Sequence, residues 1–304
     1  MGLKIVSIKS SFPYKSENLK SEKYKKIIKA TGINKRYVSS EKENVISLSI
    51  KSAKKVLNSK LKNRISFLLF VSQTSPYKFP SISCILQNEL KLPKDIYAVD
   101  INMGCSGYIY ALKLARSLEN LNNNRKYGLI ICSDTYTKYI EKNNNSCEPI
   151  FSDASTATLL KISKKNQFQA FDFGVDGNGY RSLILRENSK NMFMDGAKVA
   201  IFTIKEIPQF IKKFLFRNKL NARNVKYIAL HQASKYVCDN IKKKLKFKNN
   251  YFLENYEKYG NTVSSTIPLL LKDCIEKKKL KKNNIIIACG FGVGLSWGIV
   301  KIKW

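Results

Sequence analysis

The sequence predicts an α/β protein whose sheets are covered by helices, and three observations carry that prediction. Short β-branched and apolar runs alternate with longer amphipathic ones. The order of strand and helix repeats in the second half of the chain, with no low-complexity linker between the halves. A chain of 304 residues, 44% of them hydrophobic, is long enough to bury one large core or two similar ones. Two intimately packed α/β units are therefore expected, over residues 1–165 and 166–304.

In chain order, strands are expected at 3–8, 66–73, 97–101, 127–134 and 157–163, where runs such as "SFLLFVSQ" and "YGLIICSD" are short and apolar. Helices are expected between them at 46–60, 81–91 and 106–120. The last shows Ala111, Leu112, Ala115 and Leu118 at helical spacing. A second cycle opens with "QAFDFGVDG" (169–177) and continues with helical periodicity across 198–217, a strand at 225–231 and a helix at 235–246. It closes with a helix near 263–279 and strands at 285–289 and 297–303.

The formal charge is +33, from 55 Lys and Arg against 22 Asp and Glu, which taken alone suggests a polyanionic partner. Only eight of those 55 cations are Arg, the fork favoured for reading phosphates and base edges, and the lysines are scattered over helix faces and loops. The simplest reading is a general Lys, Asn and Ile bias rather than a specific binding role, with steering of an acidic protein partner by part of the surface as a second reading; specific nucleic-acid binding is not expected. Seven cysteines are odd in number and widely spaced with no CxxC pair, which argues against a disulfide framework or a zinc site and for a reducing compartment. The apolar run of "MGLKIVSIKS" is too short for a signal peptide, and the longest apolar stretch, 285–300, is too short and too glycine-rich to span a membrane. A cytoplasmic protein with no membrane span is expected.

Four stretches carry chemistry. In "INMGCSG" (101–107), Cys105 lies between two glycines where a strand passes into a helix, and a helix N-terminus favours the anionic form of a thiol. In "LHQAS" (230–234), the single histidine of the chain, His231, ends a strand, where α/β sheets commonly place their reacting groups. In "EKYGNTVSSTIP" (257–268), Asn261 follows Gly260 in a turn ahead of a helix. In "ACGFGVGLSWG" (288–298), alternating glycines between strands suggest close approach of backbone to a ligand, while the spacing does not fit the GxGxxG fingerprint.

In this order the stretches resemble the β-ketoacyl-acyl-carrier-protein synthase III family of the thiolase fold. "TGINKRYV" (31–38), "FPSISCILQNEL" (79–90), "FSDASTATLL" (151–160) and "MDGAKVAIFTI" (194–204) extend the likeness almost end to end. The resemblance implies two similar halves packed as a five-layer α-β-α-β-α sandwich, and a Cys105–His231–Asn261 triad. It further implies an oxyanion hole formed by the backbone N–H groups of Cys105 and Val293, a homodimer, acyl carrier protein as partner, and no metal or redox cofactor. The reaction implied is transfer of an acyl group to Cys105, then decarboxylative Claisen condensation with malonyl-acyl carrier protein. A second reading passes the same acyl group to a hydroxyl or amine without decarboxylation. A thiolase would need a second cysteine, and Cys289 sits one residue early for it, on a strand where one step turns a side chain to the other face.

The sequence also departs from the family pattern. Lys26 and Ala30 stand where the family places an aromatic and an arginine that grip the adenine of coenzyme A, which weakens the case for priming from coenzyme A and leaves acyl-coenzyme A and acyl-carrier protein as alternative donors. Val293 replaces the middle glycine of the family's glycine loop, and Ser234 the usual Asn. Phe79 occupies the position that in the family reaches into the partner subunit's acyl tunnel; the alternative is that it packs in the core of its own chain.

Overall fold

The structure is a computed structural model and describes all residues except 20–24, 122, 123, 143 and 145. The chain opens with β1 (Gly2–Ser11), β2 (Lys15–Asn18), α1 (Lys25–Thr31) and β3 (Lys35–Val38), followed by α2 (Val45–Lys54), α3 (Ser59–Lys62), β4 (Ile65–Val71) and α4 (Ile82–Glu89). Next come β5 (Tyr97–Ile101), α5 (Gly107–Ser117), β6 (Tyr127–Asp134), β7 (Ala154–Ser163) and β8 (Phe168–Val175). A small hairpin of β9 (Leu183–Ile184) and β10 (Phe193–Met194) leads into α6 (Gly196–Arg217). The remainder is β11 (Tyr227–Leu230), α7 (Lys235–Leu245), α8 (Tyr256–Tyr259), α9 (Thr266–Glu276), β12 (Ile285–Gly292) and β13 (Ser296–Lys303).

Two large sheets result, in the order β1-β7-β6-β4-β5 and β11-β12-β13-β8, beside the two-stranded pairs β2–β3 and β9–β10. In the first, β4 runs parallel to both β5 and β6, while β7 is antiparallel to its neighbours. In the second, only β11 and β12 are parallel. Every residue of β4 and β6 is buried, as strands covered on both faces require. α2 and α4 cover the outer face of the first sheet, and α6 and α7 cover the outer side of the second. α5 and α9 lie between the sheets and touch strands of both, which completes five layers, α-β-α-β-α.

Local chemistry explains the boundaries. α2 begins at Asn44, whose side chain accepts from the N–H groups of Ile46 and Ser47 while the Ser47 hydroxyl returns to the Asn44 N–H. It stops at Lys54, so the helix expected over 46–60 is two pieces, α2 and α3, separated by the turn at 55–58. The helix expected near 263 starts at Thr266, after a 3₁₀ turn over Val263–Ser265, and tolerates Pro268 because its first turn has no donor to lose there. The β2–β3 pair has little apolar alternation to announce it; buried Arg36 holds it, paired to both Glu17 and Glu148.

Candidate active site

The loop from β5 to α5 delivers Cys105, which is buried at 6% exposure. No side chain caps α5; the Ser106 hydroxyl instead meets that of Ser296 at 2.8 Å, and Ser296 donates onward to the Val293 carbonyl at 2.8 Å. The start of the helix is thereby fastened to the β12–β13 turn. Two glycines of β12 make the approach possible: a Cβ at Gly290 would lie 2.7 Å from the Cys105 carbonyl oxygen, and one at Gly292 3.0 Å from its sulfur. The N–H groups of Cys105 and Val293 both donate toward that sulfur.

The thiol is not the acidic one expected at a helix N-terminus. Burial, followed by the charge of nearby Asp134, pushes its pKa up to about 12, and the two N–H donors only partly offset this. The helix end is outweighed because the sulfur sits in a closed apolar setting, with Tyr136, Phe151 and Val263 in the same cluster.

His231 follows β11 directly and extends its parallel pairing, since its N–H donates to the Cys289 carbonyl at 2.8 Å. Its ring is buried, stands edge-on to Phe291 with centroids 5.5 Å apart, and places Nδ1 2.7 Å from the Thr266 hydroxyl. Burial pulls its pKa down to about 3, so the imidazole is neutral. Thr266 also reaches the Val263 carbonyl at 3.1 Å. By donating to that carbonyl it accepts from Nδ1–H and leaves Nε2 a base; by donating to Nδ1 it puts the ring hydrogen on Nε2 and makes that atom a donor.

Asn261 lies on the loop after α8. Its N–H donates to the Ile150 carbonyl at 3.0 Å, its carbonyl accepts from Ser152 N–H at 3.0 Å, and its Oδ1 accepts from Val263 N–H at 3.0 Å. The carbonyl end of the amide is thus occupied, and Nδ2 has no partner among the described residues. Cys105, His231 and Asn261 all line one cavity of about 470 Å³, whose wall also includes Thr31, Phe151 and Phe291.

The other expected positions fall as follows. Val293 adjoins Cys105 through its backbone and lines a second cavity of about 300 Å³. Phe79 is 85% exposed, which excludes the reading that it packs in its own core. Ala30 is exposed and at the rim of the first cavity, and Lys26 is exposed on α1. Cys289 packs with Ile287, Phe291 and Ile299 under α6 and α7, on the opposite face of β12 from Gly290 and Gly292, and offers no second thiol at the site. Among the described residues no group of three or more His, Cys, Asp or Glu could hold a metal.

Sequence reasoning missed Thr266, the Gln73–Tyr136 pair and Asp134. Asp134 is fully buried at the end of β6, accepts from Gln73 N–H at 2.9 Å, Ser264 N–H at 3.3 Å and the hydroxyls of Ser72, Thr74 and Ser264, and has its pKa pushed up to about 7 by burial. A charge closing the apolar run "YGLIICSD" was the available signal. The others pair with groups far off in sequence and leave no local trace.

Comparison with known proteins agrees with this architecture. Residues 99–177 match the family model for 3-oxoacyl-[acyl-carrier-protein (ACP)] synthase III, and residues 215–304 match that for its C-terminal part. The chain is 33% identical over 289 residues to the β-ketoacyl-[acyl-carrier-protein] synthase III of Clostridium perfringens strain SM101, covering 90% of this chain and 88% of that one. It is 30% identical over 285 residues to the enzyme of the same name from Enterococcus faecalis V583, covering 88% and 86%. The crystal structure of a 3-oxoacyl-(acyl-carrier protein) synthase from Burkholderia xenovorans LB400 superposes with a TM-score of 0.93 at 28% identity, over all of this chain and 94% of that one. The Aquifex aeolicus 3-oxoacyl-[acyl-carrier-protein] synthase III gives 0.90 at 24% identity over the whole of both chains, a likeness of fold. With two enzymes at 30% identity or more matched over most of their length, the chain belongs to the β-ketoacyl-[acyl-carrier-protein] synthase III family, acyl-transferring enzymes of the thiolase fold.

Proposed function

We propose that the protein joins an acyl thioester to malonyl-acyl carrier protein with loss of carbon dioxide, giving a 3-ketoacyl product, and that the acyl group is first carried on Cys105. The observation that supports this best is the single cavity lined by Cys105, His231 and Asn261.

The buried groups suggest how each half-reaction runs. The Cys105 thiol, kept protonated by burial, has to shed its proton as it attacks, and the His231 ring lining the same cavity is the acceptor assigned here, with Nε2 free when Thr266 accepts from Nδ1–H. As sulfur bonds to the thioester carbonyl, its proton passes to Nε2 and then to the departing thiol. The N–H groups of Cys105 and Val293 hold the oxyanion. In the second half, Nε2–H and the Asn261 amide donate to the malonyl thioester carbonyl. The bond to the carboxylate breaks, carbon dioxide leaves, and the electron pair becomes an enolate on that oxygen. The enolate carbon then attacks the acyl group, and the bond to Cys105 breaks to release the sulfur as thiolate, which takes up a proton from solvent water; that proton replaces the one carried off by the first thiol. The chemistry draws on thioester substrates alone.

A homodimer and a cytoplasmic setting complete the reading. β5 is an unpaired edge of the first sheet, with Val99 and Ile101 only half-buried, and an exposed edge of this kind is a template for a second strand. Tyr77 and Phe79 are exposed in the loop ahead of α4, which supports Phe79 as a residue given to the partner's acyl chamber. No helix among the described residues is long and apolar enough to cross a membrane. Exposed Lys26 and Ala30 offer no aromatic or guanidinium grip for adenine, and both acyl groups are taken to arrive on carrier protein.

Intact-protein mass spectrometry after exposure to matched acyl-coenzyme A and acyl-carrier donors, followed by malonyl-acyl carrier protein, tests this. A Cys105 adduct that is discharged with release of carbon dioxide and a 3-ketoacyl product is expected. An adduct discharged as an ester or amide without carbon dioxide would replace the condensation with simple acyl transfer.

A further inference from the structure

The two carboxyl oxygens of buried Asp134, at the end of β6, face different parts of the site. Oδ1 accepts from Gln73 N–H at 2.9 Å and lies 3.4 Å from the hydroxyls of Ser72 and Thr74, on the loop after β4. The Gln73 side chain presses on Gly104, next to Cys105, so closely that a Cβ at Gly104 would collide with Gln73 Oε1. Oδ2 accepts from the N–H and the hydroxyl of Ser264, in the 3₁₀ turn ahead of α9. The neighbours of Ser264 fix the rest of the site. Val263 N–H holds Asn261 Oδ1 at 3.0 Å, and the Thr266 hydroxyl meets His231 Nδ1 at 2.7 Å. One carboxyl therefore reaches from the Cys105 side to the His231–Asn261 side.

No Lys or Arg pairs with Asp134 among the described residues. The titratable groups around it are Cys105 from the β5–α5 loop, Cys132 on its own strand and Tyr136 in the turn that follows. Burial, and after it the Asp134 charge, pushes all three up. The loop after β4 and the turn ahead of α9 face it only with Ser72, Gln73, Thr74 and Ser264, and His231 beyond Thr266 is neutral. The surrounding groups accept a protonated carboxyl without losing a bond. Oδ2–H then donates to the Ser264 hydroxyl, whose own hydrogen turns to the Cys132 sulfur beside it, while Oδ1 keeps Gln73 N–H. The reaction builds negative charge on the sulfur, the oxyanion and the enolate in turn. A carboxylate in this closed setting opposes each of them, and an uncharged carboxyl does not.

We propose that Asp134 is a positioning residue for the condensation: its carboxyl keeps Cys105 in register with His231 and Asn261, and it serves the reaction in its uncharged form. The inference rests on the acyl-Cys105 reading above. Loss of the proton leaves Gln73 and Ser264 bonded and sets a negative charge behind the sulfur, so turnover falls on the alkaline side of neutrality with the fold intact. Asn at this position is a permanently uncharged equivalent. Its Oδ1 accepts from Gln73 N–H, and its Nδ2–H donates to the Ser264 hydroxyl.

The test is the single-turnover rate of adduct formation at Cys105, read by intact mass with acetyl, butyryl and octanoyl carrier-protein donors, in the native protein and in Asp134→Asn across a pH series. The ratio of native to variant rate at each pH cancels every ionisation the two proteins share. That ratio is expected to stand near one below about pH 6 and to fall about tenfold by about pH 8.5, as the native carboxyl loses its proton and the amide does not. A ratio that stays level across the series, at whatever height, overturns the proposal and leaves the acyl-enzyme standing. Thermal unfolding shows whether Asp134→Asn folds. If it does not, Ser264→Ala decides: it frees the turn beside Asn261 and Thr266 while Gln73 stays bonded, so carbon dioxide release from malonyl-carrier protein should fall at least about fivefold more than adduct formation. Equal losses in the two steps overturn the proposal. No adduct in the native protein at any pH overturns the acyl-enzyme and the positioning role together.

Discussion

Thr266 decides which nitrogen of His231 carries the ring hydrogen, and the proposed reaction needs both arrangements in turn. Thr266→Val is expected to lower kcat about tenfold or more with little change in KM, and Thr266→Ser to restore it, as steady-state condensation assays would show. Asn261→Ala is expected to lower decarboxylation by about 100-fold while acyl-Cys105 still forms, because in the proposed reaction the amide donates to the enolate and not to the thiol. The thiol gives a pH test. With its pKa raised to about 12, alkylation of Cys105 by iodoacetamide should rise about tenfold per pH unit from 7 to 10 without a plateau. Asp134→Asn should shift that curve toward lower pH, since the carboxylate charge is one cause of the rise. Asp134 also links to stability: it holds its proton in the folded state up to about pH 7 and loses it near pH 4 when unfolded. Its contribution is complete below about pH 4 and is lost as pH rises toward 7, and Asn at this position should flatten that slope in chemical denaturation.

Among the elements, α5 and β13 form the support that positions Cys105. Ser106 and Ser296 are buried and satisfy each other, and Ser296 also holds the Val293 carbonyl. Ser296→Ala leaves the Ser106 hydroxyl unpaired and frees the Val293 turn, a loss of about 1–3 kcal/mol visible in thermal or denaturant unfolding. The Ser106→Ala/Ser296→Ala double variant should lose less than the sum of the single changes, because both remove one bond. This connection runs across 190 residues and was invisible in the sequence. The candidate thiol Cys105 was legible at its strand-to-helix junction, because a cysteine between glycines there is a local pattern. Its raised pKa was not, because it is set by the closed packing of Tyr136, Phe151 and Val263 from distant segments. For the same reason the central strands β4 and β6 could be read from their apolar runs, whereas the short β2–β3 pair, held by one buried arginine, could not.

At the scale of the molecule, the repeat of strand and helix order indicated two sheets, and helices touching both sheets make one sandwich of them. The net charge of +33 belongs to this scale too. If it steers an acidic carrier protein, kcat/KM for malonyl-carrier substrate should fall several-fold between low and high salt, while that for a short pantetheine thioester should barely change. Stopped assays over a salt series separate the two. The strap around Asn261 has a wider consequence. That loop comes from the segment holding α8 and α9, yet its backbone is bonded on both sides to Ile150 and Ser152. If Asn261 acts as proposed, competence for turnover is a property of the joined halves and of neither alone: a slight parting of them, too small to melt any helix, would already silence the enzyme, and loss of activity should precede loss of circular dichroism on gentle heating.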